Sequence, residues 1–379
     1  MPVPGDPHDE LVRALYEHVQ EVIPGEIAWF DAHTHIGSND PDGLTATPGE
    51  LLAGLDRAGH QRALAFPMHE PEGYGAANDA VLAAARESGG RLVALVRVKP
   101  DTPGALEEAR RGLEAGAAGI KLHPRSDAFG LPHPVVADLV ALAHEAGAIV
   151  LFHAGRGIPR LGQAAVDLAR KHPRAAIILA HAGISDLGLL AGPAAELSNL
   201  YFDTAWWQVG DLLQLCATIP PARILHASDM PYGSARFAAM ATVRPAAEVG
   251  LGAEALRAMA GGQLERLVTG QEPLDLGPPP GPPPAPRLEA QRAVAYITAA
   301  VQQTFRTGDP DEAIALARLA CQHLGEDPVL DAVDELLARA REARDADVPD
   351  AGAGASRWPG VYALLAAQLV AGTPRAGVP

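Results

Sequence analysis

Eight short apolar segments alternate with longer segments of helical length up to about residue 270, and this alternation restricts the fold more than any other feature. Each apolar segment has the length of a buried strand and is bounded by Gly or Pro, whereas the segments between them are rich in Ala, Leu and Glu. The predicted strands comprise residues 27–35, 62–67, 92–98, 119–123, 148–153, 175–181, 200–203 and 223–229. Strands that alternate with helices form parallel sheets, and a span of roughly 240 residues is typical of a (β/α)8 TIM barrel. An open doubly wound sheet is the alternative, but no Gly-rich dinucleotide-binding turn follows the first strand.

Segments outside the eight repeats indicate one helix before the barrel and a small all-α appendage after it. Residues 9–22 place apolar side chains at helical spacing, and residues 271–287 are Pro-rich, as in semi-rigid linkers. The predicted appendage helices are residues 288–305, 311–324, 329–344 and 358–370. We therefore predict an α/β chain with a barrel at 1–270, a linker at 271–287 and a helical appendage at 288–379. The appendage could serve as a dimer contact, a lid over the barrel or a surface for another protein.

The composition restricts the classes of function. The formal net charge is −16, the pI is near 5.3 and no basic tract is present, which argues against nucleic-acid binding. The two cysteines lie far apart in unlike surroundings, so a disulfide framework is not expected. The first residues lack the pattern of a signal peptide, and no apolar run is long enough to span a bilayer. We therefore expect a cytoplasmic protein that acts on a small molecule, away from membranes, with a homodimer as one open arrangement.

Ionisable residues collect at the carboxyl ends of six of the eight predicted strands. They are His33 and His35 on strand one, Lys121 and His123 on strand four, His153 on strand five, His181 on strand six, Asp203 on strand seven and Asp229 on strand eight. In a parallel barrel these ends meet at one face, where the active sites of such barrels form. Histidines scattered through a core would not all select one end of their strands, so the pattern predicts a functional site.

The first strand ends in the segment Asp31-Ala-His33-Thr-His35, which Gly37 follows. Because side chains alternate along a strand, we expect Asp31, His33 and His35 to share one face. Two neutral imidazoles two residues apart can hold one divalent metal ion. Taken alone, the segment could equally contain two solvent-exposed loop histidines, and it is the other strand ends that favour a metal site.

Six segments resemble the amidohydrolase superfamily and, within it, the amidohydrolase-related (family 2) branch. They are residues 31–35, Gly119-Ile-Lys-Leu-His-Pro124, Leu151-Phe-His-Ala-Gly155, Leu179-Ala-His-Ala-Gly183, Leu200-Tyr-Phe-Asp-Thr204 and Ser228-Asp-Met-Pro231. A seventh segment, residues 261–267, resembles the closing helix of the family but has Gln263 where Asn is usual. The resemblance covers about residues 28–270 and leaves the appendage outside.

The resemblance implies that His33, His35, His153 and Asp229 bind one divalent metal ion. Three imidazoles and a carboxylate suit Zn²⁺, with Mn²⁺ or Fe²⁺ as alternatives. Water on that ion would have a lowered pKa and act as the nucleophile, with Asp229 as general base. Read alone, an Asp after Ser at a strand end is more often a helix N-cap. For His181 the resemblance offers two roles, a ligand of a second metal or a catalytic residue that polarises the substrate, and the second suits a one-metal site.

Lys121 has more than one interpretation. In two-metal members of the superfamily a carboxylated lysine on strand four bridges the metals, whereas in the family 2 branch a single metal is usual and Lys121 would bind a substrate carboxylate. A salt bridge at the barrel rim is the third reading. The other predicted substrate-binding residues lie on the same face or in the loops beyond it: His123, Arg125, Arg156, Trp206 and Tyr232. For the two arginines solvation, and for the two aromatic residues simple packing, are the alternatives.

The motifs support a metal-dependent hydrolase that acts on a small, carboxylate-bearing amide, lactone or related substrate. The same family branch also supports metal-dependent decarboxylation of small aromatic or unsaturated carboxylic acids with the same ligands, so the motifs do not separate the two reactions. A barrel that has become a non-catalytic binding module is the third hypothesis, and the intact ligand set argues against it.

Overall fold

The computed structural model describes residues 12–23, 25–41, 43–155, 160–306, 309–323, 325–345 and 360–379. Within them, eight parallel strands follow one another in sequence order around a barrel. The strands are β1 (Phe30–Ile36), β2 (Arg62–Pro67), β3 (Leu92–Arg97), β4 (Gly119–Leu122), β5 (Ile149–Phe152), β6 (Ala176–Leu179), β7 (Leu200–Asp203) and β8 (Ile224–Leu225). Backbone hydrogen bonds from Ala32 to His226 and from Asp229 to His33, at 2.8 and 2.9 Å, join β1 to the β8 segment. The predicted (β/α)8 TIM barrel is therefore confirmed.

Most of the helices connect one strand to the next and pack on the outside of the barrel, whereas the first precedes β1 and the last three follow β8. They are α1 (Arg13–Val22), α2 (Pro48–Arg57), α3 (Gly75–Glu87), α4 (Ala105–Glu114), α5 (Pro134–Ala146), α6 (Gly162–Lys171), α7 (Leu187–Glu196), α8 (Val209–Thr218), α9 (Ala235–Glu248), α10 (Ala253–Arg257) and α11 (Gln263–Val268). Local sequence sets several of their ends. Helix α2 starts at a capping box between Thr47 and Glu50, and α5 ends at Gly147, which has a φ of +65°.

Two layers of apolar side chains stabilise the barrel. Phe30, Leu64, Leu95, Leu151 and Ile178 belong to a buried cluster inside the ring of strands. The side chains that alternate with them point outward and form a larger cluster with the helices. This alternation is the reason that the strands read as continuous apolar runs, because both of their faces are buried.

Strand β1 contains an irregularity that corrects one expectation from the sequence. Its pairing with β2 shifts register between Asp31 and Thr34. An extra residue at such a bulge moves the following side chains to the other face. The expectation that Asp31 shares a face with His33 and His35 is wrong, because the Asp31 carboxylate lies beside His60 and His226, whereas His33 and His35 lie beside Asp229.

The bounds of β1 and β8 also differ from those predicted. Strand β1 begins at Phe30 rather than at residue 27, and it runs through the histidine motif to Ile36. Strand β8 has two residues instead of seven, because the chain leaves the ladder before Asp229, whose φ is +60°. The predicted strand end is therefore an irregular segment that pairs with β1 through single hydrogen bonds.

The appendage forms helices α12 (Leu288–Arg306), α13 (Asp311–Ala320), α14 (Pro328–Asp345) and α15 (Val361–Gly372). Helix α15 is apolar on all sides and is almost wholly buried against α8, α9, α12 and α14. Gln368 of this helix accepts a hydrogen bond from the Val209 N–H at 3.3 Å and donates to Thr298 at 2.8 Å. Arg244 of the barrel donates to Thr373 at 3.0 and 3.1 Å. The appendage thus packs against the outer helices of the barrel as part of one apolar core.

Parts of the predicted terminal helices fall outside the described residues, namely 9–11 and 358–359. Within the described part of the chain, no helix combines the length and the apolar character needed to cross a membrane.

Candidate metal centre at the barrel mouth

Two imidazoles and a carboxylate converge at the carboxyl ends of the strands. The Nε2 atoms of His33 and His35 lie 3.3 and 3.0 Å from Oδ1 of Asp229. The two histidines are buried, whereas the Asp229 side chain is 24% exposed. We call His33, His35 and Asp229 the mouth cluster. Closure of the barrel between β1 and β8 brings these three predicted ligands together.

Asp203 at the end of β7 orients His33. Its Oδ2 accepts a hydrogen bond from Nδ1 of His33 at 2.8 Å, and its Oδ1 accepts from the backbone N–H groups of His181 and Ala205. Because the ring proton of His33 points at Asp203, Nε2 presents a lone pair to Asp229. Burial, followed by nearby Lys121, lowers the pKa of His33 well below its usual value, so the ring is neutral. A lone pair that faces a carboxylate oxygen is stabilised by a cation between them, so the donors fit a divalent metal ion.

His153 and His181 form a chain of hydrogen bonds beside the mouth cluster. Nδ1 of His181 donates to the Ala205 carbonyl at 2.7 Å, so its Nε2 accepts from Nδ1 of His153 at 2.9 Å. Nε2 of His153 then carries a lone pair, and it is buried with no partner among the described residues. His153 as a fourth ligand stays a prediction, because its nitrogen is not among the donor atoms that lie within 4.8 Å of one another.

Gly155 permits this arrangement of rings. A Cβ at this position would lie 2.8 Å from Cδ2 of His181 and 3.2 Å from Cε1 of His153. Any side chain would therefore push the two imidazoles from their places. The His-Ala-Gly sequence after β5 is explained by this close approach of the backbone.

Asp229 is held in a left-handed backbone conformation that is uncommon for residues other than glycine. Its N–H donates to the His33 carbonyl at 2.9 Å, and its own carbonyl accepts from the Tyr232 N–H at 2.8 Å. Burial raises the pKa of the Asp229 carboxyl, while His181 and Lys121 act in the opposite direction. A raised pKa suits a carboxylate that takes up and releases a proton during a reaction.

Lys121 is fully buried next to the mouth cluster. Its Nζ lies 3.3 Å from Nε2 of His33 and 4.5 Å from the ring centre of Phe66. Burial lowers the pKa of Lys121 to about 7, against the opposing effect of Asp229 and Asp203. A salt bridge at the barrel rim is therefore the wrong reading of Lys121. A cation for a substrate carboxylate and a carboxylated bridge between metals both remain consistent with this position.

The other predicted substrate-binding residues surround the mouth at different depths. His123 is half-buried and stacks on His153 with ring centres 3.9 Å apart, whereas Arg125 is exposed. Trp206 is half-buried with its ring centre 6.3 Å from that of His181, and Tyr232 packs edge-on against His35 at 5.0 Å. Arg156 lies outside the described residues.

The sequence reading missed two features of this face. Phe66 at the end of β2 packs against His33 and His35, with ring centres 5.1 and 4.6 Å apart. Arg97 at the end of β3 is buried and donates to Asp127 at 3.1 and 3.2 Å. Both residues stand at the carboxyl ends of strands, so the rule that found the histidines would also have found Arg97.

Comparisons with known proteins agree with this fold and identify its family. A protein-family model described as amidohydrolase matches residues 30–262, which is more than half of the chain. The chain therefore belongs to the amidohydrolase family. A search of curated protein sequences gave no significant match.

Similar solved structures share the fold at low sequence identity. One described as amidohydrolase II is 21% identical, with a TM-score of 0.50, and covers 64% of this chain and 100% of its own. The 5-carboxyvanillate decarboxylase LigW from Sphingomonas paucimobilis is 14% identical, with a TM-score of 0.51 and coverage of 64% and 99%. The 2,6-dihydroxybenzoate decarboxylase from Rhizobium is 15% identical, with a TM-score of 0.51 and the same coverage. These likenesses extend over the barrel and show the fold alone.

Proposed function

We propose that this protein is a metal-dependent hydrolase that acts on a small, carboxylate-bearing amide, lactone or related substrate. The observation that supports the proposal most directly is the convergence of two imidazole nitrogens on one oxygen of Asp229 at the mouth of the barrel. The donors are neutral nitrogens and a carboxylate, which suit Zn²⁺, Mn²⁺ or Fe²⁺.

His33, His35 and Asp229 would hold the metal ion, with the lone pair of His153 as the proposed fourth donor. When bound, the metal ion supplies Lewis acidity and a water molecule of lowered pKa. A second ion, bridged by a carboxylated Lys121, is the less favoured arrangement.

The residues of the chain provide the remaining functions. Asp229 takes up a proton at its carboxylate and returns it to the leaving group. Asp203 keeps the proton of His33 on Nδ1 and so keeps the other nitrogen free. His181 is the proposed residue that polarises the substrate: its hydrogen bond to Ala205 fixes the plane of its ring, and donation to a substrate would require a second proton on Nε2 in place of the hydrogen bond that this atom accepts from His153. Phe66 and Tyr232 pack against His35 and limit the access of bulk water.

The charge around the site supports a substrate that carries a carboxylate. The amine of Lys121, whose pKa burial lowers to about 7, lies at the inner wall, and exposed Arg125 follows β4 at the mouth. Such cations attract an anionic group of a small molecule and hold it beside the mouth cluster.

Decarboxylation of a small aromatic or unsaturated acid is the second candidate. It is favoured by the aromatic side chains at the mouth, Trp206 and Tyr232, beside the same cations. Asp229 would then deliver a proton to the carbon that loses carbon dioxide, instead of accepting a proton from water.

A substrate screen with two readouts tests both candidates. The full chain, loaded with Zn²⁺ or Mn²⁺, is incubated with small lactones, amides and aromatic carboxylic acids, and both acid release and carbon dioxide release are recorded. The comparison proteins are His33→Ala/His35→Ala and, as a matched control, His144→Ala/His172→Ala. The control histidines lie just before β5 and β6, away from the mouth, with ring centres 5.7 Å apart.

Acid release without carbon dioxide, lost only in the His33/His35 variant, is the expected result. Carbon dioxide release would overturn hydrolysis in favour of decarboxylation. If the protein retains its metal ion but turns over none of the substrates, the result would count against both reactions and support a binding module.

A further inference from the structure

A second group of two histidines and one carboxylate lies on the opposite side of the barrel wall from the mouth cluster. Asp31 of β1, His60 just before β2 and His226 just after β8 bring their donor atoms within 4.8 Å of one another. We call these three residues the wall cluster. Strand β1 lies between β2 and the β8 segment in the closed barrel, so the cluster spans the seam where the barrel closes.

The wall cluster is sealed from solvent. The three residues are 0, 2 and 0% exposed, and the Trp29 ring covers one side by stacking on His60 with ring centres 5.0 Å apart. The rings of His60 and His226 meet edge-on at 5.0 Å. The side chains of the wall cluster cannot reach a dissolved substrate. Any ligand bound between them therefore has a structural role.

Several polar atoms of the wall cluster lack partners among the described residues. They are Oδ2 of Asp31, both ring nitrogens of His60 and Nε2 of His226. A buried polar atom without a partner carries the full penalty of desolvation, and such atoms are rare. Their concentration at one point indicates a shared ligand.

Hydrogen bonds on the far side of Asp31 and of His226 leave a lone pair of each facing the centre of the wall cluster. Oδ1 of Asp31 accepts from the N–H groups of His33 and Ser228, both at 3.0 Å. Thr242 directs its hydroxyl proton to the Ala238 carbonyl, so its oxygen accepts from Nδ1 of His226 at 2.9 Å. Nε2 of His226 therefore presents a lone pair, as does Oδ2 of Asp31.

The group also lacks positive charge. Among the described residues, no lysine or arginine forms an ion pair with the buried Asp31 carboxylate, whose hydrogen-bond donors are His33 and Ser228. Buried carboxylates are normally paired with a cation or coordinated to a metal ion. A divalent cation would supply this charge and would accept all three donors.

We propose that Asp31, His60 and His226 hold a structural divalent metal ion of the zinc type between the barrel wall and its helices. Two imidazoles and a carboxylate match the donor preferences of Zn²⁺ and Fe²⁺. Zinc binds such donors at about 2.0–2.2 Å, which places them roughly 3.4 Å apart in a tetrahedron.

The metal would strengthen the seam beside the mouth cluster. Asp31 already joins β1 to the β8 segment, because one of its oxygens accepts from His33 and from Ser228. A metal on its other oxygen would tie His60 and His226 to the same carboxylate. The ion would thus hold together the segments that carry His33 and Asp229.

Zinc content of the full chain in defined variants tests the proposal. Because the cluster is sealed, each protein is refolded with zinc, dialysed and analysed for bound metal. The His33→Ala/His35→Ala variant, which removes ligands of the mouth cluster and of any bridge to Lys121, is expected to retain about one zinc per chain. Adding His60→Gln/His226→Gln should remove that zinc, whereas adding His144→Gln/His172→Gln should leave it.

Absence of zinc from the refolded His33/His35 variant would overturn the proposal. Zinc that remains bound after His60 and His226 are also replaced would overturn it as well. Because the quadruple variant could fail to fold, crystals of the unmodified chain give an independent answer. An anomalous peak at the zinc edge among Asp31, His60 and His226 would support the site. Ordinary water density there, with zinc at the mouth, would overturn it.

Discussion

The mouth cluster and the wall cluster contain the same types of side chain on opposite sides of strand β1. Each has two imidazoles and one carboxylate, and each receives residues from both sides of the barrel seam. They differ in access: the Asp229 side chain is 24% exposed, whereas Asp31 and His226 are 0% exposed. The comparison teaches that donor type determines what a site can bind, while access to solvent determines whether it can act on a substrate.

The two clusters also differ in their supporting hydrogen bonds. Asp203 and the His153–His181 pair surround the mouth cluster with groups that can exchange protons. The wall cluster is supported by backbone N–H groups and by Thr242, which only hold their partners in place. We expect substitutions at the mouth to change activity and substitutions at the wall to change stability.

The largest expected effect is that of His33→Ala/His35→Ala on turnover of the substrate found by screening. Loss of the two imidazoles should reduce kcat/KM by about three orders of magnitude or more, since a metal ion contributes several kcal/mol to such reactions. The measurement is steady-state kinetics beside bound metal, with His144→Ala/His172→Ala as control. Full activity in the variant would mean that the mouth cluster is not the active site.

Asp229→Asn tests proton transfer at the mouth. The amide keeps the shape of the side chain and tolerates the left-handed backbone, but it cannot act as a base. We expect kcat to fall by about 10²- to 10⁴-fold, with a smaller change in KM. Because the substitution also removes a proposed ligand, bound metal is measured in parallel. Unchanged kcat in metal-loaded protein would assign the base to another residue.

Asp203→Asn tests whether Asp203 orients the ring of His33. The substitution removes the anionic acceptor of the Nδ1 proton and should reduce metal affinity or activity by about 10- to 100-fold. Restoration of activity at high metal concentration would identify a role in affinity. A variant with wild-type metal affinity and kcat would contradict the proposed positioning of His33.

Thr242→Val tests the wall cluster without touching its three donors. Valine keeps the volume but leaves Nδ1 of His226 without its acceptor, so the free energy of unfolding should fall by about 1–3 kcal/mol. We expect kcat to change less than about twofold, because Thr242 lies outside the mouth. The control is Thr218→Val, at an exposed hydroxyl whose hydrogen bond, within the described part of the chain, is to the Gln214 carbonyl of its own helix. A large loss of kcat with little loss of stability would contradict the assignment of activity to the mouth cluster and of stability to the wall cluster.

The smallest expected effect concerns a second sealed group, the Cys216 thiol. Burial raises the pKa of this thiol to about 12. We therefore expect almost no alkylation of Cys216 in the native protein at pH 8.5, and rapid alkylation in guanidinium, as measured by mass spectrometry.

The raised pKa of Cys216 also predicts the direction in which the stability of the folded state changes with pH. The unfolded thiol loses its proton first as the pH rises from 9 toward 12, so the folded state becomes less stable over that range. The slope for this one group is about 1.4 kcal/mol per pH unit. A Cys216→Ala variant should lose this slope, and an unchanged slope would assign it to other groups.

Much of the barrel could be predicted from local pattern. The apolar runs at β2 and β7 have the bounds expected from sequence, and their alternation with helices identified the parallel barrel. The position of His33, His35, Lys121 and Asp229 at one face follows from that topology, because the carboxyl ends of parallel strands meet. The Arg97 side chain was missed only because its strand end was read as part of an apolar run.

The amino-acid sequence by itself therefore determined the order of the elements, the barrel and which ionisable side chains lie at its mouth. Only the tertiary structure decided that Asp31 leaves the face of its neighbours, since the register shift depends on pairing between β1 and β2. It also decided that His60 and His226, which are far apart in sequence, meet behind the wall. The physical reason is that strand and helix periodicity is local, whereas register and burial arise from contacts between distant segments.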